Sequence, residues 1–308
     1  MNTALRITVF AAALAATFGT AYGVGNTVGT ITPQPKGGHA MQHRSDGHHD
    51  DMASMPGMPG MDHDMAPGGL EISKDGYTLA LRTSQVPAGK RTNLSFAVVR
   101  DGTGRNVTAY EREHGKELHL IVAARDLTVY RHLHPTRAVD GTWSTSVELP
   151  KAGGYRVIAD FRPKGGEPLV LGADLAVSGP FTPAALPGHS STAKVDGYEV
   201  SLAGTPVPGK ATPLTLTVSK DGHPVRDLEP YLGAYGHLVA LRSGDLAYLH
   251  VHPTGEPGDG TTAPGPKVSF EATAPSAGAY RLFFDFQHEG KVHTAAFTVH
   301  ATGGAHEH

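Results

Sequence analysis

Cysteine is absent from the 308 residues. That excludes disulfides, cysteine-based zinc sites, blue-copper centres and cysteine nucleophiles together. Charge is sparse and nearly balanced, with 18% charged residues and a formal net charge of −3. Nucleic acid is therefore not a partner to expect, nor is an anionic membrane surface. No stretch sustains a helical apolar period, and catalytic signatures are missing as well. There is no Gly-x-Ser-x-Gly elbow, no His-Glu-x-x-His and no phosphate-binding loop, so the chain reads as a non-enzyme. Methionine, a routine filler of gaps in apolar cores, does not occur between residues 66 and 308.

Where methionine does occur after the initiator, it is concentrated. Met41, Met52, Met55, Met58, Met61 and Met65 share one window with His39, His43, His48, His49 and His63, interleaved with aspartates. Thioether sulfur suits Cu(I), while imidazole serves Cu(II), Zn or Ni. The stretch Met55 to Met65 reads MPGMPGMDHDM, and its Pro-Gly pairs forbid a helix. A helical stripe of methionines facing a core is thereby excluded. The alternatives are a solvated linker and a sacrificial sink for oxidation to sulfoxide. The histidines favour metal capture, copper first, on a segment (36–69) that is expected to be disordered without metal.

The first 35 residues carry one charge, Arg6, followed by the apolar stretch Ile7 to Phe18 and then small residues. This reads as a secretory signal, with cleavage after Ala21 or Gly23. An uncleaved membrane anchor within residues 7–30 is the alternative. Either way the rest of the chain is expected outside the cytoplasmic membrane, secreted or in the cell envelope, touching a membrane only through that segment.

The remainder repeats itself. Asp75-Gly76-Tyr77 returns as Asp196-Gly197-Tyr198, and Val86-Pro87 with Gly89-Lys90 returns as Val207-Pro208-Gly209-Lys210. Tyr155-Arg156, ending in Asp160-Phe161, returns as Tyr280-Arg281, ending in Asp285-Phe286. The copies span 70–178 and 194–300, with a linker at 179–193 and a short tail at 301–308. With 39 Gly and 23 Pro, each copy alternates short β-branched or apolar runs with turns. About seven strands in about 105 residues is the pattern of an immunoglobulin-like antiparallel sandwich. The fold class expected is all-β, two tandem sandwiches from an internal duplication. Tyr155 and Tyr280 occupy the place of the tyrosine that anchors a corner in that architecture.

Each copy also carries three histidines at one spacing: His119, His132 and His134 before Pro135, and His237, His250 and His252 before Pro253. Alternate strand residues share a face. A hairpin centred on Gly244-Asp245 pairs residues whose numbers sum to 489 and sets His237 opposite His252. The same arithmetic around Asp126-Leu127 sums to 253 and sets His119 opposite His134. Three imidazoles on one ribbon face form a competent site for Cu(II) or Zn. His288 and His293, without counterparts in the first copy, are candidates for a further ligand, which makes the second copy the expected folded site. A lone strand histidine is more often a hydrogen-bonded or exposed residue than a ligand, and duplication copies spacing for free. The triads gain weight from standing beside the Met/His segment.

The pattern His-Leu-Val-x-Leu-x-x-Gly-Asp-Leu-x-x-x-His-x-His-Pro from His237 to Pro253, followed by Ala-Gly-x-Tyr-Arg, resembles secreted bacterial β-sandwich proteins of YtkA-like and CopC-like type. The Met/His segment separately resembles the Met-rich stretches of copper-resistance proteins. The resemblance covers both repeats and implies copper binding, buffering or delivery in the cell envelope, with a copper transporter or acceptor protein as partner. One departure is that no plausible cleavage leaves a histidine at the mature terminus, where the N-terminal-histidine type carries one. The competing reading is a non-catalytic cell-surface interaction module whose histidines are incidental.

Overall fold

The computed structural model describes residues 67–302, except the side chains of His250 and His252. The N-terminal segment, the Met/His segment with all its candidate ligands, and residues 303–308 lie outside the described residues.

All regular structure in the described residues is β. The first repeat contains β1 (Ser73–Lys74), β2 (Tyr77–Leu81), β3 (Gln85–Pro87), β4 (Arg91–Arg100), β5 (Arg105–Asn106), β6 (Leu118–Ala124), β7 (Tyr130–Leu133), β8 (Thr136–Arg137), β9 (Thr142–Glu148), β10 (Gly153–Phe161) and β11 (Leu169–Ser178). The second contains β12 (Thr192–Val195), β13 (Tyr198–Ala203), β14 (Ala211–Lys220), β15 (His223–Pro224), β16 (His237–Arg242), β17 (Tyr248–Pro253), β18 (Lys267–Thr273), β19 (Gly278–His288) and β20 (Lys291–Ala301). In the first repeat, β1-β2-β4-β9-β8 faces β3-β11-β10-β6-β7. In the second, the order β12-β13-β14-β18-β17-β16-β19-β20 is continuous, because β17 pairs with β16 at its start and with β18 from His250 onward.

Each repeat closes on its own core. Leu79, Phe96, Leu120, Trp143 and Tyr155 fill the first, and Val200, Leu216, Phe270, Tyr280 and Phe284 the second. The tyrosine corners form as expected. The Tyr155 hydroxyl donates to the Lys151 carbonyl and that of Tyr280 to the Ser276 carbonyl, each at 2.8 Å.

Strands differ in how many faces they bury, and this positions the site. β13 alternates buried and exposed residues, as a strand with one wet face does. In β6 every residue from Leu120 to Ala124 is buried. Its second face covers the other repeat: Ile121, Ala123, Leu127, Tyr130 and Ile158 pack with Val239, Leu241, Leu246 and Phe283. The rings of Tyr130 and Phe283 stack at 4.0 Å and 4°. The two repeats therefore belong to one compact unit. Contacts across this seam come in reciprocal pairs, as expected when two copies of one domain meet across a pseudo-twofold axis. Tyr130 donates to Asp285 and Tyr248 donates to Asp160, both at 3.3 Å.

Both register expectations hold near the turns. Leu120↔Leu133 and Ile121↔His132 sum to 253, and Ala240↔Leu249 and Leu241↔Tyr248 sum to 489. The loops are four residues long, closed by Ala124 N–H to Val129 O and by Arg242 N–H to Ala247 O. The second expectation fails further out. β17 leaves β16 after Leu249, so His252 pairs with Glu271, and His237 pairs with Asp285 on its other side. The physical reason is that a strand crossing to the facing sheet exchanges one ladder for another.

Candidate metal centre

The centre forms in the first repeat, where β6 and β7 place His119, Ile121 and His132 on the face turned toward the second repeat and His134 follows the end of β7. One ring nitrogen from each of His119, His132 and His134 lies within 4.8 Å of the others. Ring centres are 5.4 Å apart for His119 and His132, 5.3 Å for His119 and His134, and 4.8 Å for His132 and His134.

Hydrogen bonds fix which nitrogens are free. A carbonyl and a carboxylate can only accept. His119 therefore carries its proton on Nε2, which donates to the Glu113 carbonyl at 3.2 Å. His132 carries one on Nδ1, which donates to Asp285 Oδ2 at 3.0 Å, with the two side chains 6% and 3% exposed. The remaining nitrogens, His119 Nδ1 and His132 Nε2, then face each other at 3.2 Å. In neutral rings these are two lone pairs. Such an approach is repulsive unless a proton or a metal ion stands between them. The buried Nε2 of His134 also has no hydrogen-bond partner. Imidazoles anchored by an outer carbonyl or carboxylate, with the inner nitrogens convergent, are the arrangement that orients metal-binding histidines.

The surroundings keep His119, His134 and His237 neutral, the form that binds metal. Burial, and then the neighbouring His132, push His119 down to about 3. Burial, His132 and His119 do the same to His134, also to about 3. Burial lowers His237 to about 4, against the opposing pull of its bond to the Tyr231 carbonyl. Across the cavity Asp160 is raised to about 6 by burial and by the charge of Glu113.

His237 shares the small cavity, about 70 Å³, with His114, His119, His132, Asp160 and Tyr248. Its ring centre lies 6.3 Å from His119 and 6.1 Å from His132. The adjoining Gly236 lets the backbone pass the Phe284 ring, since a Cβ there would stand 2.4 Å from it.

Among the described side chains, the assembled triad is the one in the first repeat. Those of His250 and His252, whose backbone lies opposite Thr273 and Glu271, are outside the described residues, and the second triad with them. A further sequence expectation is corrected. His288 and His293 do not reach the histidine face. Alternation turns them with Phe284 and Phe286 into the second core, while His237 and Asp285 point the other way. There His288 receives the Tyr198 hydroxyl at 2.7 Å and donates to Asp227 at 3.1 Å, and His293 donates to Asp196 at 2.8 Å.

Two residues escaped the sequence reading. Asp285 had been visible as part of a repeated Asp-Phe pair, a signal of duplication without a role. His114 sits at φ 51° in a loop whose counterpart residue is Leu232 at φ 53°, so no periodicity marked it. Its ring lies 5.5 Å from His237.

The domain described as being of unknown function, DUF8832, matches residues 72–178 and 193–303. No curated protein matches. Among solved structures, the chain is similar to the Escherichia coli adhesin FdeC, with 16% identity, 75% of this chain and 65% of that one covered, and a TM-score of 0.24. It is similar to the Yersinia pseudotuberculosis adhesin InvE at 11% identity, 75% and 60% coverage, and a TM-score of 0.23. It is also similar to invasin, described as a bacterial integrin-binding protein, at 13% identity, 74% and 39% coverage, and a TM-score of 0.22. The chain thus spans less than two thirds of each of those structures, and similarity at this level carries nothing about binding or activity.

Proposed function

We propose that this chain, which belongs to the DUF8832 family and carries two copies of that domain, is an exported, non-catalytic metal-binding protein of the cell envelope. Its folded site is the triad His119, His132 and His134, taking Cu(II) or Zn(II). The observation that carries the reading is the approach of His119 Nδ1 to His132 Nε2 at 3.2 Å, with each ring hydrogen-bonded from behind. The Met/His segment of residues 39–65 would collect Cu(I) as a separate site, and a copper transporter or acceptor protein of the envelope would receive the ion.

One observation favours a second reading, a cell-surface interaction module with incidental histidines. His132 as an imidazolium could donate from both nitrogens, to Asp285 and to His119, and staple the seam without a metal. Metal titration separates the two. With the chain at pH 7, loss of one high-affinity Zn(II) equivalent in His119→Ala/His134→Ala supports the metal site. Retention of every equivalent in that variant leaves the module reading.

A further inference from the structure

We propose that the histidine centre is shared between the repeats: His237 supplies a fourth imidazole and Asp285 orients His132 from behind, so that a bound Zn(II) ion fastens the two sandwiches together. The inference rests on the metal-binding reading above and concerns which parts of the chain complete the site.

Four observations support it. First, His119 and His237 are duplicates in position and in anchoring. Nε2 of His237 donates to the Tyr231 carbonyl at 2.8 Å, as His119 donates to Glu113, so Nδ1 is the nitrogen without a backbone anchor in both rings. Second, both line one cavity, although they come from different repeats. Third, Asp285 is committed to the seam. One oxygen accepts from His132 and Tyr130 and the other from Thr294, and the residue is 2% exposed. An outer carboxylate of this kind fixes a ligand ring and raises its basicity.

The fourth observation is metric. With Zn–N bonds of about 2.0–2.1 Å, two imidazoles on one tetrahedral ion have ring centres roughly 5 Å apart. The triad is already at that spacing, with centres between 4.8 and 5.4 Å. His237 stands at 6.1–6.3 Å from His119 and His132, so it falls short by about 1 Å on that scale. Closing the gap draws the second sandwich onto the first along the apolar seam already formed by Ile121, Ile158, Val239 and Phe283. Three repeat-one imidazoles leave a tetrahedral ion one position short, and among the described side chains His237 is the imidazole of the other repeat that lines the same cavity.

The test uses the full chain, in which the ligands of residues 39–65 are common to every variant. Zn(II) affinity is measured by chelator competition, and Co(II) spectra report the coordination. Chymotrypsin cleavage at exposed Phe181 in the linker 179–189, with and without Zn(II), reports docking of the repeats. His237→Ala is expected to weaken Zn(II) at the folded site at least tenfold, to weaken the tetrahedral Co(II) bands and to abolish protection of the linker by Zn(II). Asp285→Asn is expected to weaken Zn(II) roughly 10- to 100-fold with the Co(II) bands retained. The melting temperature of the metal-free protein controls for folding in both. If Asp285→Asn does not fold, His237→Ala decides. Wild-type Zn(II) affinity and linker protection in His237→Ala, while His119→Ala/His134→Ala loses its equivalent, would place the site in the first repeat alone and overturn the inference. No loss in His119→Ala/His134→Ala would instead overturn the metal site itself.

Discussion

Acidification of the metal-free protein gives the sharpest energetic consequence of holding His119, His134 and His237 neutral. His119 and His237 titrate near 3 and 4 in the fold, against about 6.5 in an unfolded chain. Between those limits the unfolded chain takes up protons that the folded one refuses, so stability falls as pH falls. From pH 7 to pH 5 each ring costs about 2 kcal/mol by this linkage. Asp160 works in the opposite direction. Raised to about 6 from 3.8, it is protonated in the fold before it is in the unfolded chain, and it returns about 1 kcal/mol over the same interval. The histidines win, and the net loss is about 3 kcal/mol, with His134 adding to it. Urea unfolding in the presence of a chelator, at pH 7 and at pH 5, measures the difference. Asp160→Asn should enlarge it by removing the offset. Equal or greater stability at pH 5 would refute a cluster held neutral by burial.

Three further outcomes follow from the seam, the corner and the methionines. Phe283→Ala removes the ring stacked on Tyr130 and should cost about 3 kcal/mol by urea unfolding, with faster proteolysis of the linker. Tyr155→Phe deletes the corner bond to Lys151 and should cost about 1 kcal/mol, read as a lower unfolding midpoint with metal affinity unchanged. Deleting residues 39–65 should remove most Cu(I) capacity, measured with a Cu(I) indicator, while leaving Zn(II) at the folded site. Unchanged Cu(I) stoichiometry would make the Met cluster a plain linker.

Local chemistry was legible in the sequence, and the meeting of the two repeats was not. β6 (Leu118–Ala124) and β18 (Lys267–Thr273) are short β-prone runs whose bounds are set by turn residues in the sequence. The hairpin centres were readable for the same reason, and they placed His119 and His134 together. Two local features misled. Equal histidine spacing in the two copies hid the departure of β17 from β16, which depends on a ladder formed with distant Thr273 and Glu271. Nearness in sequence to the last hairpin suggested His288 and His293 as ligands, although alternation from Asp285 to His288 puts them on the other face. The seam did leave a trace. The run Leu-Val-Ala-Leu after His237 and the run Leu-Ile-Val-Ala-Ala after His119 are apolar at every position, the mark of strands buried on both faces. What covers such a second face is a tertiary fact, and with it came Asp285, His114 and the pairing of His237 with the first triad.

The central claim is a metal ion on the first-repeat imidazoles, and the most direct measurement is equilibrium dialysis of Zn(II) at pH 7 against two chains. One lacks residues 39–65, and the other lacks them and also carries His119→Ala/His134→Ala, with the melting of both recorded metal-free. The expected result is one tightly held Zn(II) in the first and none in the second, at comparable folded stability. Equal Zn(II) in both chains would contradict the claim.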